Sequence, residues 1–493
     1  MAGIATLLGC LMLLSGEPHW VIVSASRGDD TAGDGSRDRP LRSITTGLDR
    51  LARDASGGGV WVEEGRYGVA TGERFPLELV AGGRLCGSGS AACLLEVPSG
   101  ATALHVLRGE GECSVSGLCV HGGDVGIAVR ASGALSVTLV DVACLGARTG
   151  VELRTEIGDG EGHGTIRCAA KALRVRDCDV GLLVSGAGRH ELCLEESVFE
   201  NNRIGLLLAP AEKSAAAGDR LVVARCEFRA HREAGVRRVG PWVAAATAAA
   251  HQFDDCVFIR NHTGLALEHP AGDTPIAVRR SRFWENEYYG LIAVGREVEA
   301  GEPSLVEDCD FRWNGTGLYV ANVTRGFAVR GSRFESNLGP GIFLANFVAP
   351  ACAAGLSDCF LLHNGGSGIY VVADGTRLEA TIEHCTMVAN GGGAVARRNR
   401  HGGTSGLSTR ACILWRNTFG GRPRDLVEIS PDEIADCLIS DTGEWGRSEK
   451  ELEDPGFIDP ARRDYRLRAD SPWLHRYGPR EKAKSGEAAH GMR

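Results

Sequence analysis

The chain of 493 residues carries 54 Lys and Arg against 63 Asp and Glu, a net charge of −9, and 68 of its residues are glycine. This glycine share is about twice the usual one, yet no three-residue period occurs and Gly plus Pro stay below the level of disordered chains, so a collagen and a low-complexity chain are excluded. No basic stripe occurs, and we therefore expect no nucleic-acid partner.

The first 18 residues are expected to be a signal or anchor segment. Ile4 to Leu14 form a mostly apolar run, which is too short to span a bilayer and suits the apolar core of a signal peptide. No Lys or Arg precedes this run, and the residues before Cys10 match a lipoprotein box only in part. We therefore expect a secreted or cell-surface protein, with a lipoprotein the less favoured form, and no transmembrane segment.

Residues 19–100 are expected to contain the first strand, a helix and the first coils of a repeated structure. Ser43 is a suitable N-cap, and Ile44, Leu48 and Leu51 fall on one helical face. The residues that follow predict a stack of repeated coils. The end of such a stack exposes an apolar edge that has to be covered. We predict that this helix covers it.

The loop that precedes the helix is acidic. Asp29, Asp30 and Asp34 could bind calcium through their carboxylates, but their spacing is not that of an EF-hand. A solvated loop is the favoured interpretation, and calcium is the one cofactor that stays open.

From Ser197 onward one pattern recurs every 23–30 residues: Cys or Ser, an apolar residue two positions later, Asn five positions later, then Gly with aliphatic residues. Such a period, with short apolar pairs and no helical periodicity, predicts a solenoid whose coils stack as parallel strands. Asn tolerates a left-handed bend and bonds neighbouring backbone, so its column predicts a hydrogen-bonded ladder. The apolar column is Phe199, Phe228, Phe258, Phe283, Phe311, Phe334, Leu361, Met387, Leu414 and Ile439, and the polar column is Asn202, His231, Asn261, Asn286, Asn314, Asn337, Asn364, Asn390 and Asn417.

These columns resemble the pectate-lyase-like right-handed parallel β-helix family over roughly residues 100–445. Trp20 to Tyr67 is similar to the N-terminal module of many secreted bacterial members, and Asp454 to Gly478 is similar to their closing segment. The resemblance implies an all-β, single-stranded right-handed parallel β-helix with an N-terminal capping helix. Its expected parts are the β-helix over residues 101–445, a closing segment over 446–478 and a disordered tail over 479–493. Because this fold carries lyases, hydrolases, epimerases, esterases and inert adhesins, it implies no single activity.

Seven cysteines share one column of the repeat with two serines. Because Cys and Ser interchange there, we predict small buried side chains rather than disulfides or metal ligands. No Cys-x-x-Cys pair occurs, which argues against a structural zinc site. The pairs Cys86 with Cys93 and Cys113 with Cys119 leave disulfides open in an exported chain. The column is Cys226, Cys256, Ser281, Cys309, Ser332, Cys359, Cys385, Cys412 and Cys437.

Acidic residues at the bend before this column invite a catalytic interpretation. They alternate with arginines on the intervening coils, so stacking places opposite charges side by side, and we favour an ion-pair ladder. The lysine base of resembling lyases is excluded between Lys213 and Lys450, where no lysine occurs. The acidic members are Asp254, Asp255, Glu307, Asp308 and Asp358, and the basic members are Arg225, Arg279, Arg280 and Arg330.

Binding is expected on the strand that follows each glycine of the repeat, because the residue two positions after that glycine points outward. Three successive coils place aromatic residues there, and amide or carboxylate residues follow at the strand ends, a combination that suits the ring faces and hydroxyl groups of a sugar. The alternative is that a long loop around residues 343–355 covers this stripe, and Trp284 with Trp313 form a second, weaker candidate. The candidate substrate-binding residues are Tyr319, Phe343, Tyr370, Asn322, Asn346 and Asp374.

The sequence thus predicts an exported β-helix protein that recognises a polysaccharide or a cell-surface glycan. If it is an enzyme, we expect a polysaccharide lyase or a glycoside hydrolase. The alternative is a non-catalytic structural or adhesive solenoid of the cell surface, which the missing catalytic patterns favour. We expect a monomer, and the sequence assigns no catalytic residue and no metal ligand.

Overall fold

The computed structural model describes residues 19–53, 58–107, 110–156, 164–210, 220–239, 251–268, 275–295, 303–324, 326–440 and 454–480. The expected signal segment and nearly all of the expected tail lie outside these residues. Among the described residues, no helix has the length and apolar character needed to cross a membrane.

The chain winds into a solenoid of parallel strands with three faces, which we call sheets A, B and C. Strands of successive coils pair in register along each face, so that Phe283 lies beside Phe311 and Tyr319 beside Phe343. Two long strands belong to both sheet A and sheet B and join them into one hydrogen-bonded sheet. The predicted parallel β-solenoid is confirmed.

The strands of sheet A are His19–Val23, Gly58–Val62, Arg84–Gly87, Thr165–Lys171, Arg189–Glu195, Arg220–Ala224, His251–Asp254, Ile276–Arg279, Ser304–Glu307, Phe327–Arg330, Ala351–Ser357, Arg377–Glu383, Thr404–Arg410 and Ile434–Ala435, and the two shared strands are Gly111–Gly122 and Ala134–Leu145. Those of sheet B are Gly65–Gly68, Cys93–Val97, Arg174–Arg176, Val198–Glu200, Glu227–Arg229, Val257–Ile259, Arg282–Trp284, Asp310–Arg312, Arg333–Glu335, Phe360–Leu362, Thr386–Val388, Ile413–Trp415 and Leu438–Ile439. Those of sheet C are Leu77–Leu79, Thr102–Val106, Val125–Ala131, Thr149–Thr155, Val180–Gly186, Ile204–Pro210, Ala234–Arg238, Thr263–Glu268, Tyr289–Val294, Thr316–Ala321, Ile342–Asn346, Ile369–Asp374, Val395–Arg400 and Leu426–Val427. The remaining elements are the α-helix Ile44–Arg53, the 3₁₀ turns Val69–Thr71, Pro431–Glu433 and Pro460–Arg462, and the short strands Thr418–Phe419, Arg422–Pro423, Phe457–Asp459 and Asp464–Leu467.

The interior of the solenoid contains the predicted column of aromatic rings. Six phenylalanines from Phe199 to Phe334 are fully buried and stack nearly parallel, with ring centroids 4.6–5.1 Å apart. This spacing is close to the separation of about 4.8 Å between neighbouring strands. The rings therefore stack because one phenylalanine occupies the same position on each coil.

The predicted asparagine ladder runs beside this column. Asn337 is typical: its Nδ2 donates to Oδ1 of Asn364 at 2.8 Å and to the carbonyl of Phe311 at 3.2 Å. The ladder ends at Asn417, whose Nδ2 donates to the buried carboxylate of Asp425 at 2.7 Å. The side-chain N–H groups from Asn261 to Asn417 thus all donate toward the C-terminal end of the ladder, where the carboxylate of Asp425 accepts the last hydrogen bond.

The α-helix Ile44–Arg53 covers the N-terminal end of the solenoid as predicted. Its side chains Ile44, Leu48 and Leu51 are buried in the same core as the first strands. Oγ of Ser43 accepts the backbone N–H of Thr46 at 3.2 Å, which confirms the N-cap. The buried carboxylate of Glu73 accepts two further N–H groups of the first turn, at 2.7 and 2.9 Å. Glu73, which lies beyond the next two strands of the chain, therefore completes the cap.

The C-terminal segment, residues 454–480, lies along the side of the solenoid. Phe457, Tyr465 and Tyr477 are buried against an outward-facing apolar patch of sheet B that includes Trp415. The segment covers this outer face of sheet B.

The cysteine column is buried as predicted, apart from Cys437, which is half-buried. Every cysteine of the described residues has a free thiol, which includes the two pairs left open by the sequence, Cys86 with Cys93 and Cys113 with Cys119.

Candidate functional site

Tyr319, Phe343 and Tyr370 occupy equivalent positions on the outer face of sheet C, and Tyr289 at the start of the preceding strand contacts the first of them. We call these four rings the aromatic lane. Successive ring centroids lie 5.4, 5.0 and 5.1 Å apart, at interplanar angles of 57°, 85° and 42°. All four side chains are half-buried. The three rings that the sequence singled out are thus brought together on neighbouring strands, with Tyr289 extending the row by one coil.

The lane rests on a strip of small side chains. Ala321, Ala345 and Val372 are two positions further along the strands of Tyr319, Phe343 and Tyr370, are buried, and form one apolar cluster with these three rings. Burial raises the pKa of Tyr319 above its usual value, since the charged phenolate would lose solvation. Contacts with neighbouring rings and with this strip hold the rings in place before any ligand arrives.

Two of the predicted polar residues hold a loop. Oδ1 of Asn322 accepts the N–H of Phe347 at 2.7 Å, and Nδ2 of Asn346 donates to the carbonyls of Ala349 and Arg377 at 2.9 and 2.8 Å. Asn346 is fully buried. These amides fix the turn that follows the third strand of the lane, and the rings stay partly exposed beside that turn.

The third polar residue, Asp374, is part of a charged group at the end of the lane's last strand. Nδ1 of His401 lies 2.5 Å from Oδ1 of Asp374, and the His401 side chain is 81% exposed. Register places Arg400 beside Asp374 and Arg398 beside Val372, and both arginines are exposed. Donors and an acceptor therefore lie within one strand length of the rings.

Sequence reasoning missed Tyr289 and His401. Tyr289 opens its strand immediately before the glycine of its coil, and the neighbouring coils have Thr263 and Thr316 at that position, so no aromatic column marked it. His401 lies in the turn after the next sheet C strand and reaches back to Asp374. No column of the repeat contains that turn residue, so the sequence held no signal for it.

The acidic bend residues are occupied by ion pairs. Arg280 binds both Asp254 and Asp255, the latter at 3.2 Å. Arg480 of the C-terminal segment binds Asp358 through two N–H groups, each at 3.0 Å. The predicted ladder is present where Arg279 and Arg280 pair with Glu307, Asp254 and Asp255. Arg225 instead pairs with Glu195 and Glu196, and Asp358 anchors the C-terminal segment.

The acidic N-terminal loop uses its carboxylates internally. Oδ1 of Asp29 accepts the hydroxyl of Thr31 and the N–H groups of Thr31 and Ala32, which together lower the pKa of Asp29 to about 2. Asp30 accepts the N–H of Ser43 at 3.0 Å. Throughout the described residues, no group of three or more His, Cys, Asp or Glu side chains could hold a metal ion.

The second candidate site, Trp284 with Trp313, lies apart from the lane. Trp284 is on sheet B with the guanidinium of Arg282 5.3 Å above its ring, and Trp313 lies on the bend with its side chain 51% exposed. The two indoles form no ring contact with each other among the interactions of the described residues.

Comparison with known families agrees with the coil geometry. Residues 295–406, which include most of the lane, match a family model described as "Right handed beta helix region". The chain is a right-handed parallel β-helix protein. Residues 26–106 match a second model, "Protein of unknown function (DUF1565)", which spans the capping helix of this β-helix.

Three of the solved structures that match the chain are two epimerases and a glucanase domain. The A-module of mannuronan C-5 epimerase AlgE4 from Azotobacter vinelandii is 15% identical, over 85% of this chain and 100% of that one, with a TM-score of 0.38. The periplasmic alginate epimerase AlgG is 12% identical over 73% and 77%, with a TM-score of 0.39. The catalytic domain of a GH87 α-1,3-glucanase is 10% identical over 88% and 69%, with a TM-score of 0.41. No curated protein matches the chain. At these values none of the three structures lends this β-helix an activity.

Proposed function

We propose that this β-helix protein is exported and binds a linear glycan along the aromatic lane. The observation that carries the proposal is the row of Tyr319, Phe343 and Tyr370, which are half-buried at equivalent positions on neighbouring strands with ring centroids 5.0–5.1 Å apart, and which Tyr289 joins at 5.4 Å. Partly exposed aromatic rings in a continuous row offer apolar surface to the ring faces of sugars. The mostly apolar run at Ile4 to Leu14 supports export.

The charged group at the end of the lane supplies hydrogen bonds. Asp374 accepts, His401 and Arg400 donate, and Asp374 follows Tyr370 by four strand residues, a distance of roughly 13 Å. A chain of a few sugar units is long enough to contact the rings and this group together. Hydroxyl groups of the sugar would then meet both donors and acceptors, which gives orientation as well as affinity.

The proposal is tested by the double variant Tyr319→Ala/Tyr370→Ala on a glycan array. Each ring removed is expected to cost about 0.5–1.5 kcal/mol of contact, so the double variant, at about 1–3 kcal/mol, should bind roughly 5- to 140-fold more weakly. Tyr288→Ala is the matched control, because Tyr288 is 50% exposed, belongs to the same coil as Tyr289 and stacks on His262 outside the lane. The proposal fails if the double variant retains the full binding of the wild type, or if the wild type binds no glycan.

Binding and cleavage are separated by following the glycan itself. Incubation of each bound polymer with the wild type, with and without calcium, is monitored by absorbance of unsaturated ends for a lyase and by reducing ends for a hydrolase. If neither signal rises while binding persists, the protein acts as a glycan-binding solenoid.

A further inference from the structure

The column of small buried residues ends in four consecutive cysteines. Cys359, Cys385, Cys412 and Cys437 occupy it on successive coils. The N–H of Cys385 donates to Sγ of Cys412, and the N–H of Cys412 donates to Sγ of Cys437, both at 3.4 Å. The thiols of Cys385, Cys412 and Cys437 therefore follow one another along the column, each next to the thiol of the following coil.

The last thiol differs from the others in its access to solvent. Cys359, Cys385 and Cys412 are completely buried, whereas Cys437 is half-buried on the final described coil. A reagent in solution therefore meets Cys437 first, and the thiol directly behind it is Cys412.

The two thiols also differ in acidity. Burial raises the pKa of Cys412 well above its usual value, while hydrogen bonds from the thiol and the N–H of Cys412 lower the pKa of Cys437. Thiol–disulfide exchange needs an attacking thiolate that is accessible and a second thiol close to it. Cys437 meets the first requirement and Cys412 the second.

The backbone places the pair at a separation that a disulfide can span. Both cysteines immediately precede strands that pair in register, with Ile413 beside Leu438. Equivalent positions on neighbouring parallel strands are about 4.8 Å apart, within the range of about 4.4–6.8 Å between the Cα atoms of a disulfide.

We propose that Cys437 and Cys412 are a redox-active pair that closes into a disulfide by exchange with a small disulfide such as oxidised glutathione. The Cys437 thiolate attacks one sulfur of the reagent, and the other half leaves as a thiolate, which gives a mixed disulfide. Cys412 then gives its proton to the first released thiolate and attacks the sulfur of Cys437, which expels the second half as a thiolate that takes up the proton Cys437 had released to solvent. The two protein thiols are oxidised, and the small disulfide is reduced to two thiols.

The pair lies directly beneath an anchor of the C-terminal segment. The carbonyl of Ala411 accepts the N–H of Gly478 at 3.0 Å, and the carboxylate of Asp436 accepts from Arg476 and Tyr477, both at 2.7 Å. Ala411 and Asp436 are the residues immediately before the two cysteines. A disulfide would tie these two attachment points together, so oxidation is expected to hold the segment more firmly against sheet B.

The test uses the full-length reduced protein incubated with oxidised glutathione, then blocked with N-ethylmaleimide, digested with trypsin and analysed by mass spectrometry. The sequence places Cys412 in fragment 411–416 and Cys437 in fragment 425–447, so a disulfide joins two separate fragments. We expect these joined fragments in the wild type. Cys412→Ser should stop at a glutathione adduct on Cys437, and Cys437→Ser should lose both products.

Cys385→Ser is the matched control, because it removes a neighbouring thiol of the same column and should leave the joined fragments unchanged. Serine occupies this column at Ser281 and Ser332, both buried, so all three variants suit the fold. Joined fragments that persist in Cys437→Ser, an unresolved adduct in the wild type, or no reaction at Cys437 would each overturn the proposal. Hydrogen exchange supplies a second measurement: oxidation should slow exchange in residues 457–477 of the wild type and leave Cys412→Ser unchanged.

Discussion

Replacing His231 by asparagine should remove a pH-dependent weakness from the asparagine ladder. His231 occupies a ladder position and is 2% exposed. The imidazole Nδ1 of His231 accepts the backbone N–H of Asn202 at 3.1 Å, and the backbone N–H of His231 donates to Oδ1 of Asn261 at 3.1 Å. Because Nδ1 can accept only while it carries no proton, protonation breaks this bond and leaves a buried cation. Burial accordingly lowers the pKa of His231 from 6.5 to about 4.

The magnitude follows from the difference between these two pKa values. The unfolded chain binds the proton more readily than the folded one, so the stability contributed by neutral His231 is complete above about pH 6.5 and is lost as the pH falls toward 4. One pKa unit corresponds to about 1.4 kcal/mol, which gives a full loss of roughly 3 kcal/mol. Most of it, about 2.5 kcal/mol, is reached at about pH 4.5.

Urea unfolding of the wild type and His231→Asn at about pH 7.5 and about pH 4.5 measures this loss. An asparagine can accept the Asn202 N–H at either pH, so the variant should match the wild type at the higher pH and exceed it by about 2.5 kcal/mol at the lower one. His251 is also buried, but it is present in both proteins, so its contribution to the free energy of unfolding cancels when the two are compared. His121→Asn, at an exposed histidine, should keep the wild-type response. The same stability difference at both pH values would refute the argument.

Three further changes test the core, the cap and the C-terminal segment. Asn337→Ala removes four buried hydrogen bonds and should lower the free energy of unfolding in urea by roughly 2–6 kcal/mol, whereas Leu338→Ala, at a side chain 79% exposed, should be neutral. Glu73→Ala leaves two helix N–H groups without their acceptor, and hydrogen exchange in the helix should accelerate while later coils keep their protection. Phe457→Ala opens a cavity beneath the C-terminal segment, so trypsin should cleave residues 454–480 faster without unfolding the solenoid.

The parts of this fold that the sequence predicted are those that repeat. Phe283 and Asn337 could be assigned because each coil offers the same surroundings at the same position, so a column of identical residues has one structural cause. The capping helix was predictable from Ser43 and the spacing of its apolar residues. His401 was not, because it lies in a turn and meets Asp374 through a contact that no period describes. Asn346 lies at the strand end where the sequence placed it, but it is buried and holds a turn instead of facing a ligand. Whether a side chain at a strand end is exposed depends on the turn that follows, which the repeat does not describe.

Two of the three faces of this β-helix carry outward apolar surface, and they show why the aromatic lane is the site to test first. Sheet B carries an outward apolar patch, and the chain covers it with its own C-terminal residues, among them Phe457 and Tyr465. Sheet C carries the lane, whose rings remain half-buried among the described residues. A contiguous apolar surface that stays accessible costs solubility and usually marks an interaction site. Since the described residues cover one such face and leave the rings of the other only half-buried beside a charged group, sheet C is the face that fits a ligand with both apolar and hydroxylated surfaces.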